Sequence, residues 1–322
     1  PCGSSCITVK RYQEKMEKVS AEKTAELLSQ NPQALFAAEE TAFDSKMREV
    51  CNYVIEKQTA IILLAGPSAS GKTTTAKKLI THLRKSGKNA ERISLDNFYK
   101  PREQLPFWKD GSTNFESIEG LDIEHFHRLM QQLWTQREAD FPIFDFHEGR
   151  RREKTFHISY SSDTFLIFEG IHALNPLFLA AMDGHPCTGI YVSVHSDFVS
   201  ADGKVLLPAR QLRLTRRIIR DLASRNSTAA NTLSMWDNVL KGERLYIQPY
   251  RPSADIHINT VHKFEPFLYR KKIEAALADY PADALHQGTV QSLIERYLQF
   301  SSCSGEYLSQ DSLIREFYQE SK

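Results

Sequence analysis

Residues 60–75 read AIILLAGPSASGKTTT, an uninterrupted apolar run that is followed by a glycine-rich turn. A short apolar run of this kind is typical of a strand that is buried on both faces of a parallel sheet. The segment from Gly66 to Thr73 matches the pattern G-x-x-x-x-G-K-[ST] in full. Glycines at these places let the backbone turn tightly, so that its N–H groups can point at phosphate oxygens. The stretch therefore predicts a strand, a phosphate-binding loop and a helix, in that order.

The residue types of this loop fit the binding of a nucleotide triphosphate. Lys72 would reach the β- and γ-phosphates, and the Thr73 hydroxyl would bind Mg²⁺. The helix that begins near Lys72 adds the positive end of its dipole. We expect ATP to contact Gly66, Ser68, Ala69, Ser70, Gly71, Lys72, Thr73 and Thr74. The loop alone does not distinguish a kinase from a motor or a GTPase, but the N-K-x-D motif of GTPases is absent from the sequence, which favours a small-molecule kinase.

Strand and helix patterns alternate along the rest of the chain. Further apolar strands are expected at residues 90–95, 164–168, 189–194 and 254–259, with helical patterns between them. Asp122 is expected to be the N-cap of one helix, which has a single apolar face. The residues of that face are Ile123, Phe126, Leu129, Met130 and Leu133. This alternation predicts an α/β fold with a mainly parallel sheet flanked by helices.

The first 58 residues differ in composition from the rest of the chain. They are polar and rich in Glu, Lys, Ala and Gln, and they predict two helices that are broken near Asn31 and Pro32. We expect a helical N-terminal extension at 1–58 and a kinase domain at 59–322, with a lid around 200–228 and helices at its C-terminal end. The loops at 99–117 and 142–162 are long and polar, and such loops often carry function in α/β enzymes.

Composition argues against several classes of protein. The 322 residues include 41 Lys+Arg and 40 Asp+Glu, for a formal net charge of +1. Near-neutral charge argues against a nucleic-acid coat protein or a polybasic membrane binder. No apolar run approaches the roughly 20 residues of a membrane span. Five scattered cysteines fit a reducing cytoplasm better than a disulfide framework. We therefore expect a cytoplasmic protein that acts on a small molecule. Assembly into a homo-oligomer is possible.

Two carboxylates come at the ends of predicted strands. Ligands of open α/β sheets bind at the carboxyl ends of the strands, so Asp96 should face the phosphate-binding loop. There it could accept the proton of an attacking hydroxyl, or it could simply begin a turn. Glu169 ends another strand, where it is a candidate ligand of Mg²⁺ or of a water molecule. The alternative for Glu169 is a solvated side chain at a strand end.

Arginines are concentrated in two segments. Residues 209–226 contain one acidic residue, Asp221, and six arginines: Arg210, Arg213, Arg216, Arg217, Arg220 and Arg225. Positions 213, 216, 217 and 220 share one face of a predicted helix. Arginine suits bidentate recognition of phosphate, although a solvated amphipathic helix would show the same pattern. The second segment, Arg150–Arg152, could contact the acceptor substrate or be solvated.

Together these segments resemble the phosphoribulokinase/uridine kinase family. The matching segments are GPSASGKTT from Gly66, SLDNFY from Ser94, NFESIEGLD from Asn114, FDF from Phe144, FEGIHALNP from Phe168 and RLTRRIIRD from Arg213. MWDNVLKGERLYIQPYRPSADIHIN from Met235 and SLIREF from Ser312 look like later motifs of a bacterial uridine kinase-like branch. In that branch the kinase often follows a domain like the N-terminal part of threonyl-tRNA synthetase. The resemblance covers about residues 45–318.

The resemblance implies a P-loop, nucleoside kinase-like fold with an arginine-rich lid helix. It also implies transfer of the γ-phosphate of ATP to the 5′-hydroxyl of a nucleoside such as uridine or cytidine. Asp96 stands at the position of the family's catalytic base, and Thr73 and Glu169 stand at its Mg²⁺ positions. The implied catalytic residues are Asp96, Lys72, Arg213 and Arg217, with Arg216 at the cofactor. The expected substrate-binding residues are Tyr99, Glu116, Phe144, Arg150 and Arg213, and Glu116 replaces the Asp that usually holds the ribose hydroxyls.

Two positions depart from the family's pattern near the base. Uridine kinases carry Y-D-F-x-x-H there, whereas this chain has Phe144 at the Tyr position and Gly149 at the His position. A site without these polar contacts cannot strongly reject a wrong base. The acceptor could therefore also be a pentose phosphate or a cofactor precursor. A nucleotide-binding regulatory protein without catalysis is a third alternative, although the set of Lys72, Thr73, Asp96 and Glu169 argues against it.

Overall fold

The computed structural model describes residues 15–225, 227–281 and 285–319, so the first 14 residues of the predicted N-terminal extension lie outside the described part. The strands are β1 (Glu17–Ser20), β2 (Ile61–Ala65), β3 (Asn89–Ser94), β4 (Glu138–Phe141), β5 (Phe144–Asp145), β6 (Arg150–Arg151), β7 (Phe156–Ser159), β8 (Thr164–Glu169), β9 (Cys187–Ser193), β10 (Ser196–Val199), β11 (Val205–Leu207) and β12 (Ile256–Asn259). The helices are α1 (Ala21–Gln30), α2 (Pro32–Glu56), α3 (Lys72–Lys85), α4 (Ile123–Gln136), α5 (Pro176–Leu179), α6 (Ala209–Ser224), α7 (Ala229–Gly242), α8 (Glu265–Leu277) and α9 (Gln287–Tyr297).

A five-stranded parallel sheet forms the centre of the fold. Its strand order is β12-β9-β2-β8-β3, so β2 lies in the middle, and all five of its residues are buried. This confirms the predicted parallel sheet and the predicted strands, which differ from the structure by only a few residues at their ends. The carboxyl ends of β2, β3 and β8 lie at the same edge of the sheet. The phosphate-binding loop, Asp96 and Glu169 follow these three ends and are thereby brought together.

Helices cover both faces of the sheet. One face packs against α2, α3, α6 and α8, and the other packs against α4 and the β4–β7 ladder. Asp122 caps α4 as predicted, because its Oδ1 accepts a hydrogen bond from the His125 N–H at 3.0 Å. Among the described residues no helix is both long and apolar enough to cross a lipid bilayer.

The two N-terminal helices share their core with the rest of the molecule. Asn31 separates α1 from α2 and accepts a hydrogen bond from the Ala34 N–H, which confirms the predicted break. Phe36 of α2 stacks on Phe264, with ring centroids 3.8 Å apart. The extension therefore packs into the same core as the central sheet. The strand β1, which pairs with β10, was not predicted because only two of its four residues are even partly buried.

The segment 142–162 is less irregular than its composition predicts. It holds β5, β6 and β7, which form two short antiparallel ladders with one another and with β4. The prediction of one long loop was therefore wrong in this detail. Strands of two to four residues are too short to show an alternating pattern, and pairing between neighbouring segments stabilises them instead.

Candidate active site

The phosphate-binding loop joins β2 to the first turn of α3. Gly71 is the N-cap of α3 and has a φ of +89°, a left-handed conformation that glycine adopts without strain. Gly66 lies directly against β9, since a Cβ added to it would stand 2.1 Å from the carbonyl oxygen of Val192. The fold thus excludes a side chain at Gly66 and disfavours one at Gly71. These constraints explain why the motif needs glycine at both positions.

Lys72 lies inside this loop. Its Nζ donates a hydrogen bond to the carbonyl oxygen of Pro67 at 3.0 Å. Burial lowers the pKa of Lys72, while the nearby carboxylates of Glu169 and Asp96 act in the opposite direction. A partly buried ammonium beside converging backbone N–H groups is suited to bind the β- and γ-phosphates of a nucleotide.

Thr73 and Glu169 form the set of oxygens that best fits a magnesium ion. The Thr73 hydroxyl donates to Glu169 Oε1 at 3.2 Å, and Arg92 Nη1 donates to Glu169 Oε2 at 2.9 Å. Hydroxyl and carboxylate oxygens are ligands that Mg²⁺ accepts, with the remaining positions filled by water and substrate phosphates. The described residues contain no cluster of three or more His, Cys, Asp or Glu side chains that could hold a metal alone. The arrangement fits a metal that is bound together with a nucleotide.

Asp96 follows the end of β3 and has an unusual proton affinity. Burial and the charge of Glu169 raise the pKa of Asp96 to about 6, although Lys72 acts to lower it. A general base works best when its pKa lies near the working pH. Asp96 can therefore be ionised at neutral pH and still accept a proton from a hydroxyl group.

A cavity of about 320 Å³ joins these groups. Its charged end contains Ser68, Ala69, Lys72, Thr73, Asp96, Glu169, Arg217, Arg220 and Arg225. Its other end is largely apolar and contains Tyr99, Leu105, Phe115, Phe144, Phe146, Ile171 and Met235, together with Glu116, Arg102 and Gly149. The cavity can thus hold phosphate groups at one end and a planar or apolar group at the other.

Three arginines of the cavity share a single carboxylate. Asp221 lies 3.4 Å from Arg217, 2.8 Å from Arg220 and 3.6 Å from Arg225. Arg217 Nη1 also donates to the hydroxyl of Ser68 at 2.9 Å, which links α6 to the phosphate-binding loop. Asp221 alone cannot neutralise three guanidinium groups, although Asp96 and Glu169 add negative charge to the same end of the cavity. The site predictions included Arg217 but not Arg220 or Arg225, although Arg220 was already placed on the same helix face.

Arg216 and Arg213 lie outside this cavity. The fully buried Arg216 guanidinium donates to both oxygens of Glu265 at 2.7 Å and to the Thr260 carbonyl oxygen at 2.8 Å. Arg213 pairs with Glu243 and lies over the Trp236 ring, beside a separate cavity. Neither side chain lines the cavity, so the predicted roles of Arg216 at the cofactor and of Arg213 at catalysis and substrate stay predictions without support from this geometry. The physical reason is that α6 packs on several sides, so neighbouring positions of one predicted face contact different elements.

The expected acceptor-binding residues have different surroundings. Burial raises the pKa of Glu116 to about 7, and Arg217 acts to lower it. The Tyr99 hydroxyl donates to the Phe115 carbonyl oxygen at 2.6 Å, while the Phe144 ring packs 5.9 Å from the Tyr99 ring. These three side chains line the cavity, and Arg150 does not.

The second arginine cluster is paired within its own segment or with α4. Arg150 bonds Glu148 at 2.8 Å, Arg151 bonds Asp122 and Arg152 bonds Asp145. The guanidinium of Arg150 is exposed and bound to a neighbouring carboxylate, so its predicted acceptor contact stays a prediction without support from this geometry. The solvated alternative describes it better.

Arg102 is a cavity residue that the sequence did not reveal. It lies on Gly149, where a Cβ would stand 3.0 Å from Arg102 Nε and where φ is +70°. Arg102 Nη2 donates to the Phe146 carbonyl oxygen at 3.3 Å, and the described residues give it no ion pair. The only signal in the sequence was indirect: Gly149 leaves room where the family pattern has a histidine.

The loop, the carboxylates and the cavity define a P-loop kinase that acts on a small molecule. The chain belongs to the phosphoribulokinase/uridine kinase family, whose model matches residues 61–265. This confirms the resemblance that the motifs indicated.

Two curated relatives are uridine kinases. That of Macrococcus caseolyticus is 30% identical over 203 residues, which cover 62% of this chain and 88% of the relative. That of Bacillus subtilis is 27% identical over 204 residues, which cover 63% and 86% respectively. A solved structure from Bacillus stearothermophilus, described there as a possible uridine kinase, is 17% identical and covers 67% of this chain and 98% of that chain, with a TM-score of 0.46.

Proposed function

We propose that this protein transfers the γ-phosphoryl group of ATP to the 5′-hydroxyl of a nucleoside. The observation that carries this proposal is the single cavity that connects a phosphate-binding loop to an apolar, aromatic compartment, with Asp96 on its wall. The names of the curated relatives support a nucleoside as the acceptor. The aromatic compartment suits the planar faces of a base.

Each group of the charged end has a role in this reaction. The backbone N–H groups of the loop hold the α- and β-phosphates, and Lys72 reaches the β- and γ-phosphates. Asp96 accepts the proton of the attacking hydroxyl. Arg217, Arg220 and Arg225 stabilise the negative charge that spreads over the transferred group. Thr73 and Glu169 would hold Mg²⁺, which neutralises phosphate charge when it is bound.

The acceptor end contributes recognition. Glu116 is placed to accept hydrogen bonds from ribose hydroxyls, because its carboxylate faces the cavity beside Arg217. Arg102 supports a second class of acceptor, one that carries a carboxylate or a phosphate. Its guanidinium donors lie at the rim of the cavity without an acidic partner in the described chain. The cluster Arg150–Arg152 does not add to this second class, since each of its arginines is already paired.

The test is a screen of ATP consumption with one acceptor at a time. The panel contains uridine, cytidine, adenosine, orotidine, D-ribulose 5-phosphate and pantothenate, and the product is identified by mass spectrometry. We expect a nucleoside 5′-monophosphate, and a matched Asp96→Asn variant should lose at least about 100-fold in kcat. Phosphorylation of a non-nucleoside alone would favour the second class. Binding of ATP without turnover of any acceptor would favour the regulatory alternative.

A further inference from the structure

The segment Ser312–Phe317 forms a fixed wall beside the N-terminus of α3. Leu313, Ile314 and Phe317 are each at most 1% exposed. Leu313 packs directly over the loop, since a Cβ on Gly71 would stand 3.1 Å from Leu313 Cδ1. The hydroxyl of Ser312 caps the short 3₁₀ turn Leu313–Glu316. Buried apolar side chains and a capped turn hold this segment in place.

From this wall the side chain of Glu316 reaches the phosphate-binding region. Glu316 Oε2 accepts hydrogen bonds from the Thr74 N–H at 3.2 Å and from the Thr74 hydroxyl at 2.8 Å. Thr74 lies in the first turn of α3, where N–H groups lack partners within the helix and the helix dipole is positive. Burial lowers the pKa values of Lys72 and Arg225, and the nearby carboxylate of Glu316 acts in the opposite direction. Glu316 thus occupies donors and positive charge that suit an anion.

These donors are the ones a nucleotide needs. In a loop of this type the backbone N–H groups hold the α- and β-phosphates, and the first turn of the helix supplies part of them. A carboxylate and a phosphate cannot accept from the same N–H at once, and two anions in contact repel each other. We infer that Glu316 competes with the phosphates of the donor nucleotide for Thr74 and thereby sets the affinity of the donor site. This inference rests on the proposed function only in taking the donor to be a nucleotide.

Burial indicates which part moves when a nucleotide binds. Release of the whole segment would expose Leu313, Ile314 and Phe317, which are buried in the core. Rotation of the partly buried Glu316 side chain breaks only its two hydrogen bonds to Thr74. The side chain is therefore expected to turn while the backbone stays.

A neighbouring cavity offers the rotated carboxylate a partner. Glu316 and Lys77 both line this cavity of about 340 Å³. Lys77 lies on α3 one turn after Thr74, and no ion pair joins it to any part of the chain that the structure describes. Lys78, next to it, already pairs with Asp311 at 3.0 Å. Glu316 thus has two alternative partners, Thr74 without the nucleotide and Lys77 with it.

The experiment measures ADP and adenosine binding by calorimetry for wild type, Glu316→Gln and Asp311→Asn. Asp311→Asn is the matched control, because it removes an exposed carboxylate from the same part of the chain without touching the loop. We expect Glu316→Gln to lower the Kd of ADP by about tenfold, the effect of one relieved charge contact. The Kd of adenosine, which has no phosphate, should stay the same. Thermal melting of each variant verifies that it is folded.

A double-mutant cycle tests the second position of Glu316. Lys77→Ala should weaken ADP binding in the wild-type background and have little effect in the Glu316→Gln background. The inference is overturned if Glu316→Gln binds ADP no more tightly than wild type, or if Asp311→Asn tightens binding equally. If neither wild type nor variant binds ADP while both are folded, the nucleotide donor of the proposed function is refuted first, and this inference falls with it.

Discussion

The buried pair of Arg216 and Glu265 gives a strong prediction about stability. Both side chains are fully buried and share two hydrogen bonds of 2.7 Å. Glu265→Ala would leave a guanidinium in the core with no opposite charge, and only Thr260 would remain as its acceptor. Breaking a buried pair in this way costs about 3–5 kcal/mol. That is a large share of the roughly 5–15 kcal/mol that stabilises a typical fold.

Urea unfolding followed by circular dichroism measures this loss. The matched control is Glu274→Ala, which removes the partner of Arg270 from the same helix, where both side chains are partly exposed. Such a partly exposed pair contributes about 0.3–0.5 kcal/mol. The double variant Arg216→Met with Glu265→Leu should regain most of the loss, because an apolar pair of similar volume needs no charge compensation.

Two results would refute this account of Arg216. One is that Glu265→Ala lowers the free energy of unfolding no more than Glu274→Ala does. The other is a folded double variant that no longer binds ADP, because Arg216 would then have to contact the nucleotide as the family resemblance implies. Unchanged ADP affinity in the double variant supports a purely structural Arg216.

Three further predictions concern the site. Asp96→Asn should raise the free energy of unfolding by roughly 1–3 kcal/mol at pH 8 but not near pH 3, because the folded pKa of Asp96, about 6, lies above the unfolded value of 3.8 and the fold disfavours the ionised form. In the wild type, protonation of Asp96 should reduce kcat below pH 6. A flat kcat profile from pH 5 to 8 would contradict this role. Arg102→Ala should reduce kcat/KM about tenfold for an acidic acceptor such as orotidine and little for uridine. The control Arg150→Ala, which alters an exposed pair, should change neither value. Equal decreases in kcat/KM for both acceptors in Arg102→Ala would contradict a charge contact. Gly66→Ala should destabilise the fold by more than about 2 kcal/mol and abolish ADP binding, because its Cβ would collide with Val192. The control Gly87→Ala has open space around its Cβ and should cost only about 1 kcal/mol of strain at its φ of +74°. Similar decreases in the free energy of unfolding for the two variants, measured by urea unfolding, would contradict the collision.

The sequence predicted the central sheet well because local features determine it. Each central strand is short, apolar and buried, and the residue that ends it marks the edge where ligands bind. Asp96, Glu169 and Lys72 were therefore placed in one cavity from their positions relative to the strands alone. The N-cap at Asp122 could be predicted for the same reason, since a cap depends on a few neighbouring residues.

The rest of the site depends on contacts that are distant in the sequence. Nothing near Arg216 reveals that Glu265 lies on the facing helix, so its helix face could be predicted but not its partner. Glu316 reaches Thr74 across 242 positions of the chain. Arg102 could not be identified because its place depends on how two loops meet at Gly149. Pairing of this kind is a property of the packed molecule rather than of any local pattern.

The sharing of Asp221 explains how three guanidinium groups can be held together at one end of the cavity. If each of Arg217, Arg220 and Arg225 had its own carboxylate, each guanidinium would be neutralised where it lies and would attract phosphate weakly. If none of them had a partner, three guanidinium groups would repel one another and lose their fixed positions. The Asp221 carboxylate lies within reach of all three guanidinium groups and neutralises only part of their charge. Charge that is held in place before the substrate arrives needs no rearrangement during the reaction, which is the condition for effective electrostatic catalysis.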